Sequence, residues 1–156
     1  MRKPWTRPDF PVYSVASLSE GRGNMNICTY VSAVSMKPKR YMVAFYKGTL
    51  TLEMVRESPD FILQLLSEDQ YRCVRLLGQQ SGHNTDKLKR LREPLMEYAG
   101  ITCMSRALAL IQCRILEWTD AGDHWMTLCE VISFKNLHEG QVLTTETLRQ
   151  KGIIRA

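Results

Sequence analysis

A mainly β chain with a few short helices, formally α+β, whose antiparallel strands close or nearly close into a barrel is predicted by three features of the sequence. Short apolar or alternating runs, separated by turns rich in Gly, Pro and Ser, occupy most of the chain. Helical spacing surfaces only in two places, after residue 49 and after residue 67. The two longest apolar runs, "RALALIQCRILEWT" and "HWMTLCEVISF", flank the tight turn "DAGD" in the manner of a two-stranded ribbon. About six strands result, mostly antiparallel, and barrel closure with helical caps removes the edges such a sheet would expose.

The elements follow in order. "VYSVASL" (12–18) alternates large and small side chains, and the turn "SEGRGN" leads into "MNICTYVSAVS" (25–35), which predicts a hairpin. "MKPKR" is a second turn around Pro38, and "YMVAFY" (41–46) reads as a strand buried on both faces. In "KGTLTLEMVRESPDF" the period changes: Leu52, Met54 and Val55 recur at helical spacing, Thr49 or Thr51 caps, and Pro59 ends the helix. "DFILQLLS" (60–67) returns to a strand, and "SEDQ" (67–70) is a capping box that opens a second helix through "YRCVRLLG", with Gly78 past its end. The loop "QQSGHNTDK" runs into "LKRLREPLMEYAG", a basic, mostly polar segment broken by Pro94 and without a clear period. From residue 105 the chain is β again, and the tail "EGQVLTTETLRQKGIIRA" is a loop with a short terminal element.

At 156 residues the chain predicts a single domain, 1–156, with a real core. Its 44% hydrophobic and 24% charged residues fit a folded soluble protein. No apolar run approaches the roughly 20 residues that span a bilayer, and "MRKPWTRPDF" has no apolar h-region, so no membrane association and a cytoplasmic location are expected. Five cysteines without a CxxC pair suggest neither a disulfide framework nor a metal site. A net charge of +5 attracts nucleic acid, anionic cofactors and acidic partners alike. Without an RNP-like aromatic motif, a helix-turn-helix or a zinc finger, nucleic acid is not the expected partner. A solvated basic surface with one local anion site is.

Motifs exclude more than they assign. There is no GxGxxG after the first strand, no GxxxxGK[ST], no HExxH and no GxSxG. Glu53, Glu57, Glu68 and Asp69 sit where helix starts and solvated faces put carboxylates. What remains is a polar strand, in which Asn26, Thr29, Ser32 and Ser35 either face water or meet a ligand rich in donors and acceptors. "KGTLT" adds a turn: Gly48 permits close backbone approach, and the first helical N–H groups with the hydroxyls of Thr49 and Thr51 suit a phosphate, or simply cap the helix.

Taken together, "NICTYVSAVSMKPKRYMVAFYKGTLTLEMVRES", "DFILQLLSEDQ", "SGH", "DK" and "AGDHWMTLCEV", in this order, resemble the flavin reductase-like family of FMN-binding split-barrel proteins, over about Val12 to Phe134. The resemblance implies a six-stranded Greek-key split barrel that forms a homodimer, with flavin bound noncovalently near the interface. It implies that Asn26, Ile27, Cys28, Thr29, Tyr30 and Ser32 lie in the wall along the isoalloxazine ring. It puts Gly48, Thr49 and Thr51 at the ribityl phosphate, Gly48 standing where a Ser is frequent, and Lys47 or Lys87 as a point charge on that phosphate. The "SGH" piece adds His83 to the cofactor-binding residues. His124 matches the His of the family's "GDH" turn, beside the flavin and, in some members, near the nicotinamide; on its own a lone histidine at a strand start favours a polar hairpin residue. Cys28 is packing rather than a redox thiol, since no second cysteine lies near it in sequence.

The implied activity is an NAD(P)H-dependent flavin reductase, with FMN, or else FAD, as the flavin and a monooxygenase or other electron acceptor as partner. The alternative is an FMN-binding electron carrier without a productive nicotinamide site.

Overall fold

The computed structural model describes residues 1–155. Its strands are β1 (Tyr13–Ser19), β2 (Arg22–Met25), β3 (Val31–Met36), β4 (Lys39–Tyr46), β5 (Asp60–Leu65), β6 (Leu95–Tyr98), β7 (Ile101–Met104), β8 (Ala109–Asp120) and β9 (His124–Asn136). Its helices are α1 (Leu50–Glu57), α2 (Val74–Gln79), α3 (Lys87–Arg90) and α4 (Thr145–Gln150). A 7-stranded antiparallel sheet runs in the order β2-β1-β5-β8-β9-β4-β3, and β6 pairs with β7 as a separate ribbon. The strand count exceeds the expected six for two reasons: the stretch 25–35 is divided, and the polar segment before residue 105 hides the β6–β7 ribbon.

The division of 25–35 is what closes the barrel. Met25 is the last ladder partner on β1, opposite Ala16. Beyond it the Asn26 N–H still donates to Val15 O at 3.2 Å, and Cys28 exchanges two backbone bonds with Tyr13. Where the ladder fails, the Asn26 side chain supplies the missing acceptor, its Oδ1 taking the Val15 N–H at 2.9 Å. Tyr30 O then accepts from Ala44 N at 3.0 Å, and Val31 pairs with Val43. One extended segment, Arg22 to Met36, therefore borders β1 at one end of the sheet and β4 at the other.

Two apolar clusters share the central strands. Inside the barrel, Val15, Phe61 and Leu63 meet Val43, Phe45, Leu52, Cys113 and Cys129. On the other face of β1 and β5, Ala16 and Ile62 pack with Leu66, Leu77, Cys103, Met104 and Leu143. The strands buried on both faces are thus β1 and β5. In "YMVAFY" Val43 and Phe45 are buried on one face and Ala44 on the other, but beside Ala44 Tyr46 is exposed and Met42 only half-buried, because the β6–β7 ribbon and α2 cover the opposite side of the barrel. The second helix also differs from expectation: residues Glu68–Cys73 form a 3-10 turn, and Gly78 lies within α2 rather than past it. A Cβ on Gly78 would stand 3.1 Å from the Ile27 side chain, so the helix keeps its glycine for close packing. Among the described residues no helix is long and apolar enough to cross a membrane.

Phe61 is fully buried and meets Phe45 edge-on, with ring centroids 5.5 Å apart. Phe61→Ala should lower the unfolding free energy by about 3–5 kcal/mol, through lost burial and the cavity left behind. Urea unfolding of the two proteins checks this; an unchanged midpoint at unchanged slope would contradict a barrel core centred on this pair.

Candidate functional site

The gap between β2 and β3 forms one wall of a cavity of about 490 Å³. Asn26, Ile27, Cys28, Thr29 and Tyr30 line it, all from the five residues that have left the β1 ladder and not yet joined β4. Cys28 is buried, its thiol reaching Ala44 O at 3.5 Å. Burial pushes that thiol up to about 12, which leaves no thiolate at neutral pH and supports the packing role.

The turn after β4 makes a second wall through Lys47, Gly48, Thr49 and Thr51. Gly48 has φ +85°, a left-handed conformation that turns the chain into α1. Thr49 is the N-cap: its hydroxyl donates to Tyr46 O at 2.9 Å and accepts from Leu52 N at 3.3 Å. Thr51 is buried and its oxygen accepts from Asn24 Nδ2 at 3.1 Å. The Thr49 hydroxyl is committed both as donor and as acceptor, whereas Thr51 is engaged only as an acceptor, so the anion donors at this turn are the first N–H groups of α1 and the Thr51 O–H. Lys47 borders the cavity, yet its ammonium lies 2.9 Å from Asp120 Oδ1 and over the Trp125 ring at 5.1 Å.

A third wall comes from the end of α2 and the loop after it: Leu77, Gly78, Gln79, Gln80, Ser81 and Gly82. A Cβ on Gly82 would lie 2.9 Å from Asn24 Oδ1 and 3.0 Å from Leu50, so the loop backbone presses directly on the other walls. Lys87, at the start of α3, reaches under this loop and donates to Leu77 O at 2.7 Å. It is only 6% exposed, and among the described residues no carboxylate lies within ion-pair distance. Burial pulls its ammonium down to about 8.

At the mouth, His124 opens β9 opposite Tyr46 of β4. Its ring stands 4.9 Å from that of Tyr30 and 5.2 Å from that of Tyr46. Nδ1 contacts Asp123 Oδ1 at 2.6 Å, which leaves Nε2 as the free ring nitrogen.

Two of the expected residues fall outside the cavity. Ser32 lies beyond the gap on β3, exposed, with its hydroxyl on Ala33 O, because β3 has by then turned away beside β4. His83 points off the loop to Glu53 of α1, its Nε2 3.0 Å from Oε1, and makes no part of the lining. The reading of the sequence missed Asn24, Ala44, Tyr46, Leu50 and the run Leu77–Gly82. Two glycines bracketing "QQS" were the one signal available, since glycine at 78 and 82 marks close approach of backbone.

Comparison with known proteins places this architecture. A family model described as flavin reductase like domain matches residues 7–149. A putative diflavin flavoprotein A 3 of Nostoc sp. is 23% identical over 123 residues, covering 78% of this chain; the chain spans 20% of that relative's length. An FMN-binding protein from Thermus thermophilus, solved with bound 1-cyclohex-2-enone, shares the fold at 20% identity and a TM-score of 0.78, over 87% of this chain and 75% of that one. The NADH:FAD oxidoreductase SgcE6 of Streptomyces globisporus C-1027 gives 18% identity and a TM-score of 0.79, over 90% of this chain and 83% of its own.

The burial of Lys87 carries a cost with a definite pH dependence. Its folded value of about 8 lies below the ordinary 10.5, so between these the unfolded chain binds more protons than the folded one. The penalty is complete below pH about 8 and vanishes above about 10.5. Lys87→Met should therefore be more stable than the parent at pH 7, with the difference shrinking as pH rises through this window. Paired urea titrations at several pH values isolate the effect from buried thiols that titrate in both proteins; a pH-independent difference would contradict it.

Proposed function

The chain belongs to the flavin reductase-like family, and on that premise we propose that the cavity binds a flavin and that the protein is an NAD(P)H-dependent flavin reductase. Lys87 carries this reading: a buried cation without a carboxylate, in the wall of a cavity that also takes the start of α1. An unpaired buried ammonium is costly, and a phosphate removes the cost. A flavin mononucleotide brings both that phosphate and a planar ring edged with donors and acceptors, which suits the unladdered backbone of Asn26 to Tyr30. About 490 Å³ lies in the range of single-ligand sites. FMN is preferred to FAD because its chain ends at the phosphate a buried lysine neutralises, whereas FAD continues through a pyrophosphate to an adenosine.

When bound, the flavin supplies a hydride acceptor at N5 for the nicotinamide C4 hydride. The protein's own work is binding and orientation. Lys87 and the α1 N–H groups hold the phosphate end, and Thr49 keeps that helix start formed. Asn26 to Tyr30 fix the ring by backbone groups. His124, with Nδ1 held by Asp123 and its ring between Tyr30 and Tyr46, offers Nε2 to the flavin or the nicotinamide at the mouth. Hydride transfer asks for no strong acid or base, which agrees with a cavity that, among the described residues, no carboxylate lines. The reading includes a homodimer, supported by exposed apolar side chains on β3 and β9, the strands either side of β4, among them Val34, Met36 and Met126. It also includes a monooxygenase or other acceptor downstream and a cytoplasmic location.

The purified protein should bind FMN with a flavin absorption spectrum and oxidise NADH or NADPH when FMN is supplied. Lys87→Gln should weaken FMN binding about tenfold or more while leaving riboflavin affinity near that of the parent, the scale of one charge-assisted hydrogen bond. His124→Ala should lower turnover more than FMN affinity. Flavin binding without nicotinamide oxidation would leave the carrier in place of the reductase; no flavin binding would refute both.

A further inference from the structure

Lys47 stands at the junction of two walls, and its side chain is turned away from the phosphate role the sequence suggested. Its Nζ donates to Asp120 Oδ1 at 2.9 Å and lies over the Trp125 ring, while its backbone N–H donates to Asp123 O at 3.0 Å. Asp120 Oδ1 in turn accepts from Gly122 N at 2.9 Å, which folds the tip of the β8–β9 hairpin. Asp123, the last tip residue, holds Nδ1 of His124. On its other side Lys47 is followed by Gly48 and by Thr49, the cap of α1. Among the described residues, the Lys47–Asp120 contact is the one side-chain hydrogen bond joining the hairpin tip to the turn that opens α1.

We propose that Lys47 is a positioning residue: its ion pair with Asp120 sets the hairpin tip, and through Asp123 the ring of His124, against the turn that starts α1. The phosphate charge then belongs to Lys87 alone. An exposed ion pair contributes little to stability, so its effect lies in geometry, where a small misplacement of a group at the reacting centre lowers rate strongly. The aromatic ring beneath Nζ and the shared Asp120 oxygen restrict the lysine to one arrangement that a free surface lysine does not have.

This inference rests on the flavin reductase reading for its kinetic arm and on the apoprotein alone for its second. Lys47→Gln and Asp120→Asn should each lower kcat/KM for the nicotinamide about threefold to tenfold, by the loss expected of a loosened contact. The ratio of FMN to riboflavin affinity should stay within about twofold of the parent, unlike in Lys87→Gln. Lys47→Arg should restore most of the rate, and the Lys47→Gln/Asp120→Asn double variant should be no worse than either single one, since the pair acts as a unit. In the apoprotein, the ring ¹⁵N resonances of His124 should shift in Lys47→Gln and in Asp120→Asn but not in Lys87→Gln. A fall in the FMN to riboflavin ratio matching that of Lys87→Gln would return Lys47 to the phosphate and overturn the proposal. So would unmoved His124 resonances in both variants. Should the parent bind no flavin, the flavin reading fails by itself, and the resonances still decide the position of His124.

Discussion

A sheet with open ends presents rows of unpaired N–H and C=O groups, and in this protein both ends are covered by the same stretch, Arg22 to Met36. Its first part pairs with β1 and its second with β4. No single straight strand can do this, because the two neighbours diverge around the barrel. The chain must leave one ladder before it joins the other, and the residues in transit, Asn26 to Tyr30, keep only scattered backbone bonds. Their remaining polar groups are free for something else. The cavity is thus a by-product of closure, and the interrupted pairing of Asn26 to Tyr30 leaves backbone groups for a ligand with many donors and acceptors.

Around that gap the walls are assembled from segments far apart in sequence, held by contacts that leave little slack. Glycines at 78 and 82 let α2 and the following loop touch Ile27, Asn24 and Leu50 with no side chain between. Thr49 spends its hydroxyl on the α1 cap, and Thr51 accepts from Asn24. Lys87 is held only by a carbonyl, that of Leu77, with no carboxylate within ion-pair distance among the described residues. Elsewhere in the core burial keeps thiols neutral, pushing those of Cys28 and Cys73 up to about 12. Lys87 differs from the other buried charged side chains, Glu93 and Arg149, in that these have ion-pair partners in Arg106 and Glu146, and it lines the cavity.

Much of this was legible in the sequence, and for identifiable reasons. The ribbon of β8 and β9 announces itself through long apolar runs around a Gly-Asp turn, and α1 through its change of period and Thr cap. The antiparallel barrel followed from turn spacing, and the family from the order of short motifs. The division of 25–35 was not legible, because the residues of a strand in transit look like those of a strand. "YMVAFY" misled because a continuous apolar run reports the absence of polar side chains and not what covers each face. "LKRLREPLMEYAG" hid β6 because a short, mostly exposed strand beside a turn at Ala99 and Gly100 needs little hydrophobic alternation. At the site, the loop after α2 was read through His83 and not through Gln79 to Gly82, since backbone contacts leave only glycines as their trace, and Lys47 and Lys87 were indistinguishable because burial, which separates them, is a tertiary property.

The closing segment has one more consequence, for the entropy of forming the fold. β1, β2, β3 and β4 all lie within the first 46 residues, so the pairings of β1 with β2 and of β3 with β4 close short loops. The long-range cost falls instead on β1 with β5 and β4 with β9, where the sheet must bring distant parts of the chain together. The seam of the barrel, and with it the backbone that lines the cavity, is therefore built from pairings that are local in sequence, as the β8–β9 hairpin is. Its ladders draw on neighbours that are always close at hand, whereas its shape as a wall exists only once the distant strands have docked on either side.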